Sequence, residues 1–251
     1  MARINASDKF LKAYGALPDD HAVINLNLLQ WRPLRDGAQY GAYGAVAGKG
    51  ISAVGGAIVG AGLTLTDTDS IYDFDRMWDE IAFALYPRKR AYLQLQQDND
   101  YQLAIPDRIG GTYRRMLHAI SDEDPIFDAR DTINGYHENK SILSAEGGSV
   151  IVAAFLRFKK DGGRAQYTTF AKNFQPILEA AGGYVALSSD AEYPIVSREY
   201  WDHFVTFVFP SREVMEAVLT SDEFLVANKD RVESLDASMD VAATMVDLSG
   251  E

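Results

Sequence analysis

The sequence predicts an α+β fold built from two tandem β-α-β-β-α-β units, the ferredoxin-like arrangement. Two observations support this prediction. Short motifs recur along the 251-residue chain at constant spacing, and each recurrence falls in the same order of strand-like and helix-like segments. A ferredoxin-like sheet carries helices on one face only, so its other apolar face needs a cover. We therefore expect the two units to pack sheet against sheet.

Motifs of the first unit recur in the second at two fixed offsets. At an offset of 127 residues, Tyr40 matches Tyr167 and Gly55-Gly56 matches Gly182-Gly183. At an offset of 123 residues, Trp78-Asp79 matches Trp201-Asp202 and Asp107-Arg108 matches Asp230-Arg231. Chance matches would not keep register in this way. The sequence therefore predicts a duplication.

The predicted elements of the first unit follow the ferredoxin-like order. They are strands at 23–31, 57–65, 77–86 and 112–120, and helices at 36–54 and 88–97. The chain then divides into an N-terminal extension at 1–19 with a helix capped by Ser7, a first unit at 20–120, an acidic linker or lid at 121–148, and a second unit at 149–251. The last strand of the second unit is predicted at 239–248.

The first helix differs between the two units in the size of its apolar side chains. In the second unit the stripe is formed by Tyr167, Phe170, Phe174, Ile177, Leu178 and Ala181. The equivalent residues of the first unit are Tyr40, Tyr43, Ala47, Gly50, Ile51 and Val54. The thinner face of the first helix predicts either the close approach of another element or a cavity.

Composition and charge restrict the partners. The formal net charge is −12, and phosphate binding needs clustered Lys and Arg, so nucleic acid and anionic membrane surfaces are excluded. The chain has no cysteine, which excludes disulfides, thiolate metal sites and thiol nucleophiles. The chain begins without the apolar region of a signal peptide, and its most apolar stretch, 51–65, is too short to span a bilayer. We expect a cytoplasmic protein.

The sequence also lacks the motifs of common cofactors. Gly48, Gly50 and Gly55 do not have dinucleotide-binding spacing, and the acidic run at Asp122 does not have the spacing of a metal-binding loop. No P-loop, zinc motif or nucleophile elbow occurs. We therefore expect neither a metal nor a nucleotide, and a small organic molecule as the ligand.

Asn25 and Asn27 are the leading candidates for ligand binding. On a strand both side chains point to one face, and their equivalents in the second unit are the apolar Val152 and Ala154. A buried amide costs free energy unless it is hydrogen-bonded. The pair predicts a site that orients a ligand in the first unit's half of the barrel. The alternatives are a structural hydrogen-bond network or a strand end near solvent.

The candidate catalytic residues are Glu80, His203 and Asp79. Glu80 and His203 occupy equivalent positions in the two units, and they would form an acid–base pair if both faced the interior. On the alternative interpretation they lie on helix-covered or solvent faces and never meet. Asp79 is a second candidate base, although its recurrence as Asp202 favours a structural role.

Four further residues are candidates for substrate binding. Tyr40 lies on the thin helix, Trp78 lies on the third strand on the same face as Ala82 and Ala84, and Arg108 would hold a substrate carboxylate near a barrel mouth. His118 lies on the last strand of the first unit, where haem ligation competes with a buried structural histidine. Trp78 and Arg108 recur in the second unit, which also favours structural roles for them.

These residues resemble the pattern of a known family. The resemblance is carried by Asn27-Leu28-Leu29, Tyr40, Tyr43, Gly55-Gly56, Trp78-Asp79, Tyr86-Pro87, Tyr101 and Arg108, and in the second copy by Tyr167, Gly182-Gly183, Trp201-Asp202, Phe209-Pro210, Phe224 and Arg231. The chain is similar to the domain of unknown function 1330 family of the dimeric α+β barrel superfamily. The resemblance implies a barrel of two packed units, and self-association into a homodimer is compatible with it.

Three functions follow as hypotheses. The first is an enzyme without metal or nucleotide that acts by proton transfer on a small carbonyl or aromatic compound, as an isomerase, cyclase, lyase or cofactor-free oxygenase. The second is a non-catalytic small-ligand binder or sensor. The third is a structural or accessory protein. A packed barrel interior favours the third, and an open interior lined by Asn25 and Asn27 favours the first two.

Overall fold

The structure is a computed structural model that describes residues 5–19, 21–33, 38–68, 72–130, 132–139, 148–197 and 199–248. Its centre is a closed barrel of antiparallel strands in the order β1-β3-β2-β8-β5-β7-β6-β4. The strands of the first half, β1 to β4, form one side of this barrel, and those of the second half, β5 to β8, form the other. The predicted sheet-against-sheet packing is therefore achieved within one chain.

The first half contains the following elements: α1 Asp8–Tyr14, β1 Val23–Trp31, α2 Ala38–Ala53, β2 Ala57–Thr64, β3 Glu80–Tyr86, α3 Lys89–Leu95, α4 Asn99–Gly111 and β4 Thr112–Ile120. The bounds of β1 and β4 are those expected from sequence. The Ser7 side chain caps α1, as predicted, by accepting a hydrogen bond from the backbone N–H of Phe10.

The second half repeats this order after one helix of the linker. Its elements are α5 Ile133–Asn139, β5 Val150–Phe158, α6 Gly163–Ala180, β6 Tyr184–Val196, β7 His203–Phe209, α7 Arg212–Leu219, α8 Asp222–Ser234 and β8 Leu235–Met245. In both halves the sequence predicted one helix between the third and fourth strands, and the structure has two. The predicted last strand, 239–248, begins four residues earlier, at Leu235.

Two seams join the halves into a barrel. At one seam Gly62 to Thr64 of β2 pair with Met245 to Ala243 of β8. At the other seam β4 pairs with β6, with register shifts along the contact. Within each half the strand order is the ferredoxin-like one, because β1 lies between β3 and β4, and β5 lies between β7 and β8.

Apolar side chains fill the interior of the barrel. Alternate residues of each strand point inward, including Leu26 of β1, Phe83 of β3, Phe155 of β5 and Phe204 of β7, and they form one buried cluster. The opposite faces of the strands pack under α2 and α4 in the first unit and under α6 and α8 in the second. The barrel interior is thus a core and not an open channel.

The linker between the units is partly ordered around α5. Both carboxylate oxygens of Asp122 accept hydrogen bonds from the first turn of this helix, at Ile133 N and Asn134 N. Ile133 is fully buried and joins the interior cluster of the barrel. None of the helices in the described parts of the chain is long and apolar enough to cross a lipid bilayer.

Candidate functional site

A cavity of about 140 Å³ lies in the first unit, between the outer face of the sheet and α2. It is lined by Asn25, Asn27, Tyr40, Tyr43, Gly44, Ala47, Gly48, Ile51, Ile58, Ala61, Glu80, Ala82, Ala84, Tyr86, Tyr92, Leu95, Tyr101, Arg115 and Leu117. An engineered apolar cavity of about 150 Å³ is known to hold benzene, so this volume suits a small organic molecule.

The cavity exists because several of the residues that face it, on α2 and on β3, are glycine or alanine. A Cβ atom added to Gly44 or Gly48 of α2 would meet no atom within 4 Å. Ala82 and Ala84 of β3 form part of the floor. Gly50 instead allows α3 to approach α2 closely, since a Cβ at this position would lie 2.5 Å from Leu95 Cδ1. The thin face of the first helix therefore produces both expected results, a close approach and a cavity.

Asn25 and Asn27 form the polar floor of the cavity, but they differ in their partners. The Asn27 side chain accepts hydrogen bonds from Arg115 Nε at 3.0 Å and Arg115 Nη2 at 2.8 Å, and its Nδ2 donates to the Asn25 carbonyl oxygen at 3.3 Å. Asn25 is 1% exposed, and neither atom of its amide has a partner among the described residues. A buried amide with both groups unsatisfied costs several kcal/mol unless a ligand or water binds it.

Glu80 supplies a titratable group at the same face of the sheet. It pairs with Leu29 on β1, and its Oε2 accepts a hydrogen bond from Trp31 Nε1 at 3.3 Å. Burial raises the pKa of the Glu80 carboxyl from 4.5 to about 7, the hydrogen bond from Trp31 opposes this rise, and the charge of Asp79 adds to it. Glu80 is therefore poised to exchange a proton near neutral pH.

A buried cation lies behind the helical wall of the cavity. Arg108 is 2% exposed, and its Nη1 donates to the hydroxyl oxygens of Tyr43 at 2.9 Å and Tyr101 at 2.8 Å. Its Nη2 donates to Asn5 Oδ1 at 2.8 Å. The two tyrosine hydroxyls are 2.9 Å apart. Burial alone would raise the pKa of Tyr101, but the charges of Arg108 and Arg115 bring this pKa below its usual value.

The equivalent space in the second unit is filled. The corresponding cavity measures about 20 Å³, because the rings of Phe170 and Phe174 on α6 occupy it. This volume is enough for about one water molecule. The equivalent of Arg108 is Arg231, and it forms an ion pair with Asp240.

Glu80 and His203 do not form the predicted acid–base pair. Glu80 lies on β3 under α2, whereas His203 lies on β7 under the helices of the second unit, on the opposite side of the barrel. His203 Nδ1 is 2.6 Å from Asp190 Oδ1, and its Nε2 is 3.0 Å from Ser188 Oγ. Both residues point to the helix-covered faces of their sheets and not to the barrel interior.

The Ser188–His203–Asp190 arrangement has the order of a hydrolytic triad but anchors the linker. Ser188 Oγ accepts hydrogen bonds from the backbone N–H groups of Ile126 and Phe127, each at 3.1 Å. Phe127 is buried against Phe207, with ring centroids 5.1 Å apart. The hydroxyl is therefore occupied and covered, which is not the state of an activated nucleophile.

Asp79 joins strands and is not a member of the cavity wall. Its Oδ2 accepts a hydrogen bond from Trp31 N at 2.7 Å, and Asp202 Oδ2 does the same for Phe158 N at 2.8 Å. The same contact in both units favours a structural role. Trp78 is also away from the cavity, because its ring packs in the barrel interior. We had expected Trp78 on the face of Ala82 and Ala84, but it lies before β3 begins.

His118 also faces the barrel interior and not the cavity. It pairs with Leu26 on β1, and its ring lies 5.3 Å from that of Phe204. Neither ring nitrogen has a partner among the described residues, and burial lowers the pKa of His118 to about 3. The sheet therefore separates His118 from Asn25 and Asn27, with which we had grouped it.

The structure brings together Asn25, Asn27, Tyr40 and Glu80 of the residues selected from sequence, with Arg108 behind the wall. Sequence reasoning did not select Tyr43, Tyr101 or Arg115. A signal for Arg115 was present in the sequence. Its second-unit equivalent is Ser238, so this charge occurs in one unit alone, and it shares a face of β4 with Leu117. The contact of Arg115 with Asn27 depends on strand pairing, which the sequence alone does not give.

Comparison with solved structures shows the fold. An anthrone oxidase-like protein matches with a TM-score of 0.57 and 9% identity over 91% of this chain and 92% of that one. A putative monooxygenase from Fusobacterium nucleatum matches with a TM-score of 0.55 and 7% identity over 90% and 93%. A mutant chlorite dismutase from Candidatus Nitrospira defluvii matches with a TM-score of 0.52 and 8% identity over 93% and 94%. These proteins are dimeric α+β barrels. No protein-family model and no curated protein sequence matches the chain.

Proposed function

We propose that the chain is an enzyme that acts by proton transfer on a small carbonyl or aromatic compound bound in the cavity under α2. The observation that carries this proposal is that one cavity is lined both by Glu80, whose pKa is about 7, and by Asn25, whose amide has no partner among the described residues. Space, a few convergent polar groups and a shifted titratable group are the usual ingredients of an active site.

Each group has a defined role in this reaction. The ionised carboxylate of Glu80 removes a proton from carbon next to the substrate carbonyl, and the electron pair of the C–H bond moves to the carbonyl oxygen. The Asn25 amide donates a hydrogen bond to that oxygen, where negative charge develops. Trp31 Nε1 orients the Glu80 carboxylate. No metal or nucleotide is needed for this step.

The enolate formed in this way leads to several reaction classes. Reprotonation at another carbon is an isomerase reaction, internal attack is a cyclase reaction, and loss of a group is a lyase reaction. Transfer of one electron to dioxygen, followed by bonding of the resulting superoxide to the substrate radical as a peroxide, is a cofactor-free oxygenase reaction. The names of two neighbours, an anthrone oxidase-like protein and a putative monooxygenase, favour the last class.

A non-catalytic small-ligand binder is the second candidate. It is favoured by the Asn25 amide, which calls for a ligand whether or not Glu80 transfers a proton. The packed barrel interior met our criterion for a structural or accessory protein. That criterion assumed that Asn25 and Asn27 line the barrel interior, and this assumption was wrong, because both residues line the cavity under α2, outside the interior.

Four proposals on identity and assembly accompany this function. The chain belongs with the domain of unknown function 1330 family, on the residues that carry the resemblance. It arose by duplication, with units at 20–120 and 149–251. It acts in the cytoplasm, and it self-associates as a homodimer. The repeated hydrogen bonds of Asp79 and Asp202 support the duplication.

Hydrogen exchange at carbon tests the proposed reaction. A panel of small ketones, keto acids and phenols in D₂O, followed by NMR, should show protein-dependent exchange of acidic C–H groups. Glu80→Gln should reduce the rate by about 100-fold or more, because general base catalysis contributes that much. Glu199→Gln, the same change at an exposed site, serves as the control. Exchange that survives in Glu80→Gln would contradict the proposal.

A further inference from the structure

We infer that the cavity binds an organic anion, so that the substrate carries a carboxylate held from the helical wall by Tyr43 and Tyr101 with Arg108 behind them. This inference rests on the proposed function for its reaction, but the binding claim stands on charge and geometry. In this arrangement the sheet supplies the groups for proton transfer, and the helices supply the site for the anion.

Arg108 is a buried charge that has no counter-ion among the residues that the structure describes. Its partners are the hydroxyls of Tyr43 and Tyr101 and the amide of Asn5, all uncharged groups. Its Nε is buried and has no partner among the described residues. A buried charge is costly unless it is paired, and buried guanidinium groups are therefore normally matched by a carboxylate or phosphate.

The second unit shows the paired form of the same arrangement. Arg231 of α8 forms its ion pair with Asp240 of β8, which lies opposite Ala154 on β5. The equivalent position on β4 is Leu117, which lies opposite Asn27 on β1. The first unit thus has leucine where the second has the counter-ion. Leu117 lines the cavity, so a ligand anion would occupy the space near the missing carboxylate.

The hydroxyls of Tyr43 and Tyr101 are the groups through which Arg108 would act on a ligand in the cavity. Both hydroxyl oxygens accept hydrogen bonds from Arg108 Nη1, and one hydroxyl donates to the other. Two hydroxyls have two hydrogens, so one hydrogen has no acceptor within the described residues. Both rings line the cavity. The remaining hydroxyl hydrogen is a donor that a carboxylate oxygen would accept, strengthened by the guanidinium behind it.

A phenolate at Tyr101 is the competing account of Arg108, since its negative charge would be an internal counter-ion. The two accounts differ in the ligand-free protein. Our inference expects no tyrosinate at pH 7, measured by ultraviolet difference spectroscopy against Tyr101→Phe. A tyrosinate signal at that pH that disappears in Tyr101→Phe would overturn the inference.

Binding of benzoate and its neutral isostere benzamide tests the inference directly. In the unaltered chain, calorimetry should show benzoate bound about ten- to a hundredfold more tightly than benzamide, because hydrogen bonds to charged groups are worth that factor. Leu117→Asp introduces the carboxylate that the second unit already has. It should remove the preference for benzoate, while Leu117→Asn, which changes shape without charge, should keep the ratio of the two affinities.

The outcomes separate this inference from the proposed function. Equal binding of benzoate and benzamide, or binding of neither, would overturn the anion site, whereas carbon exchange that depends on Glu80 would leave the reaction standing. If Leu117→Asp does not fold, the ratio measured on the unaltered chain still decides. A preference for benzoate that persists in folded Leu117→Asp would also overturn the inference. In Glu80→Gln the preference should remain even when exchange is lost.

Discussion

The two helix–sheet layers of this protein share a backbone plan and differ in what lies between helix and sheet. Under α6 the space is occupied by Phe170 and Phe174, and about 20 Å³ remains. Under α2 glycine and alanine leave about 140 Å³. In the second layer Arg231 is paired with Asp240, whereas in the first layer, among the described residues, Arg108 has no carboxylate partner and the Asn25 amide has no hydrogen-bond partner. The second layer is packed in a way that stabilises the fold, whereas the first layer is less stable because it contains a cavity.

The shared features identify the requirements of the fold. Trp78 and Trp201, and the paired contacts of Asp79 and Asp202, recur because both units need the same strand start. The features found in one layer alone need another explanation. The second-unit equivalent of Asn25 is the apolar Val152, and that of Glu80 is His203, which is hydrogen-bonded to Ser188 and Asp190. Burying the polar groups of Asn25 and Glu80 is costly for folding. Polar residues that occur in one unit alone are therefore the better candidates for function.

The largest expected effect on stability comes from removing a phenylalanine ring from the packed second layer. Phe174→Ala should lower the free energy of unfolding by about 3–5 kcal/mol, because it opens a cavity in a packed core. Chemical denaturation measures this change, and Leu103→Ala, at a side chain that is 78% exposed, is the control. A loss below about 1 kcal/mol would mean that the second layer is not the stabilising one.

The next effect is a dependence of stability on pH through Glu80. Its pKa is raised on folding from 4.5 to about 7, so folding favours the protonated form. The corresponding stability is complete below pH 4.5 and is lost as the pH rises through 7. Glu80→Gln should remove this dependence and raise stability at pH 8 by about 1–3 kcal/mol relative to the unaltered chain. Parallel stability curves for the two proteins would contradict the raised pKa.

Asn25 and Asn27 should respond in opposite directions to the same substitution. Asn25→Val removes an unsatisfied buried amide and should raise the free energy of unfolding by about 1–2 kcal/mol while abolishing ligand binding. Asn27→Val removes the acceptor of Arg115 and should lower it by about 1–3 kcal/mol. The two variants are matched controls for each other. Destabilisation by Asn25→Val would show that a partner satisfies this amide.

The smallest effects are expected from glycines of α2. Gly44→Ala should stabilise the protein by about 0.5–1 kcal/mol, since alanine favours the helix and its Cβ would enter open space. Gly50→Ala should destabilise it, because the new Cβ would lie 2.5 Å from Leu95 Cδ1. Thermal unfolding distinguishes the two. Destabilisation by both would mean that the cavity under α2 is closed in solution.

Much of the fold was accessible from sequence because its signals are local. The run of branched and apolar residues at 23–31 predicted β1 with its bounds, β4 was also predicted with its bounds, and Ser7 predicted the start of α1. The helices α4 and α8 were not predicted. Pro106 and the paired glycines at the end of α4 obscure its helical signal, and tertiary packing outweighs these weak propensities. The cap formed by Asp98 on Tyr101 N was a sequence signal that could have found α4.

The site was predicted less well because it depends on which face of a strand turns inward. The alternation of Asn25 and Asn27 with apolar residues showed that they share a face, but not that this face lies under α2. For the same reason His118 was grouped with them although it points into the barrel. Glu80 and His203 were paired by position in the repeat. Equivalent positions in two units of a barrel lie on opposite sides, where they do not meet.

Closure of the barrel within one chain determines how many sites each molecule carries. When two identical subunits form a barrel, each residue occurs on both sides, and a polar pocket appears twice. Here the strand pairs β2–β8 and β4–β6 join halves that differ in sequence. Each side is therefore free to change without the other. The expected stoichiometry is one ligand for each chain, even in an assembly of several chains.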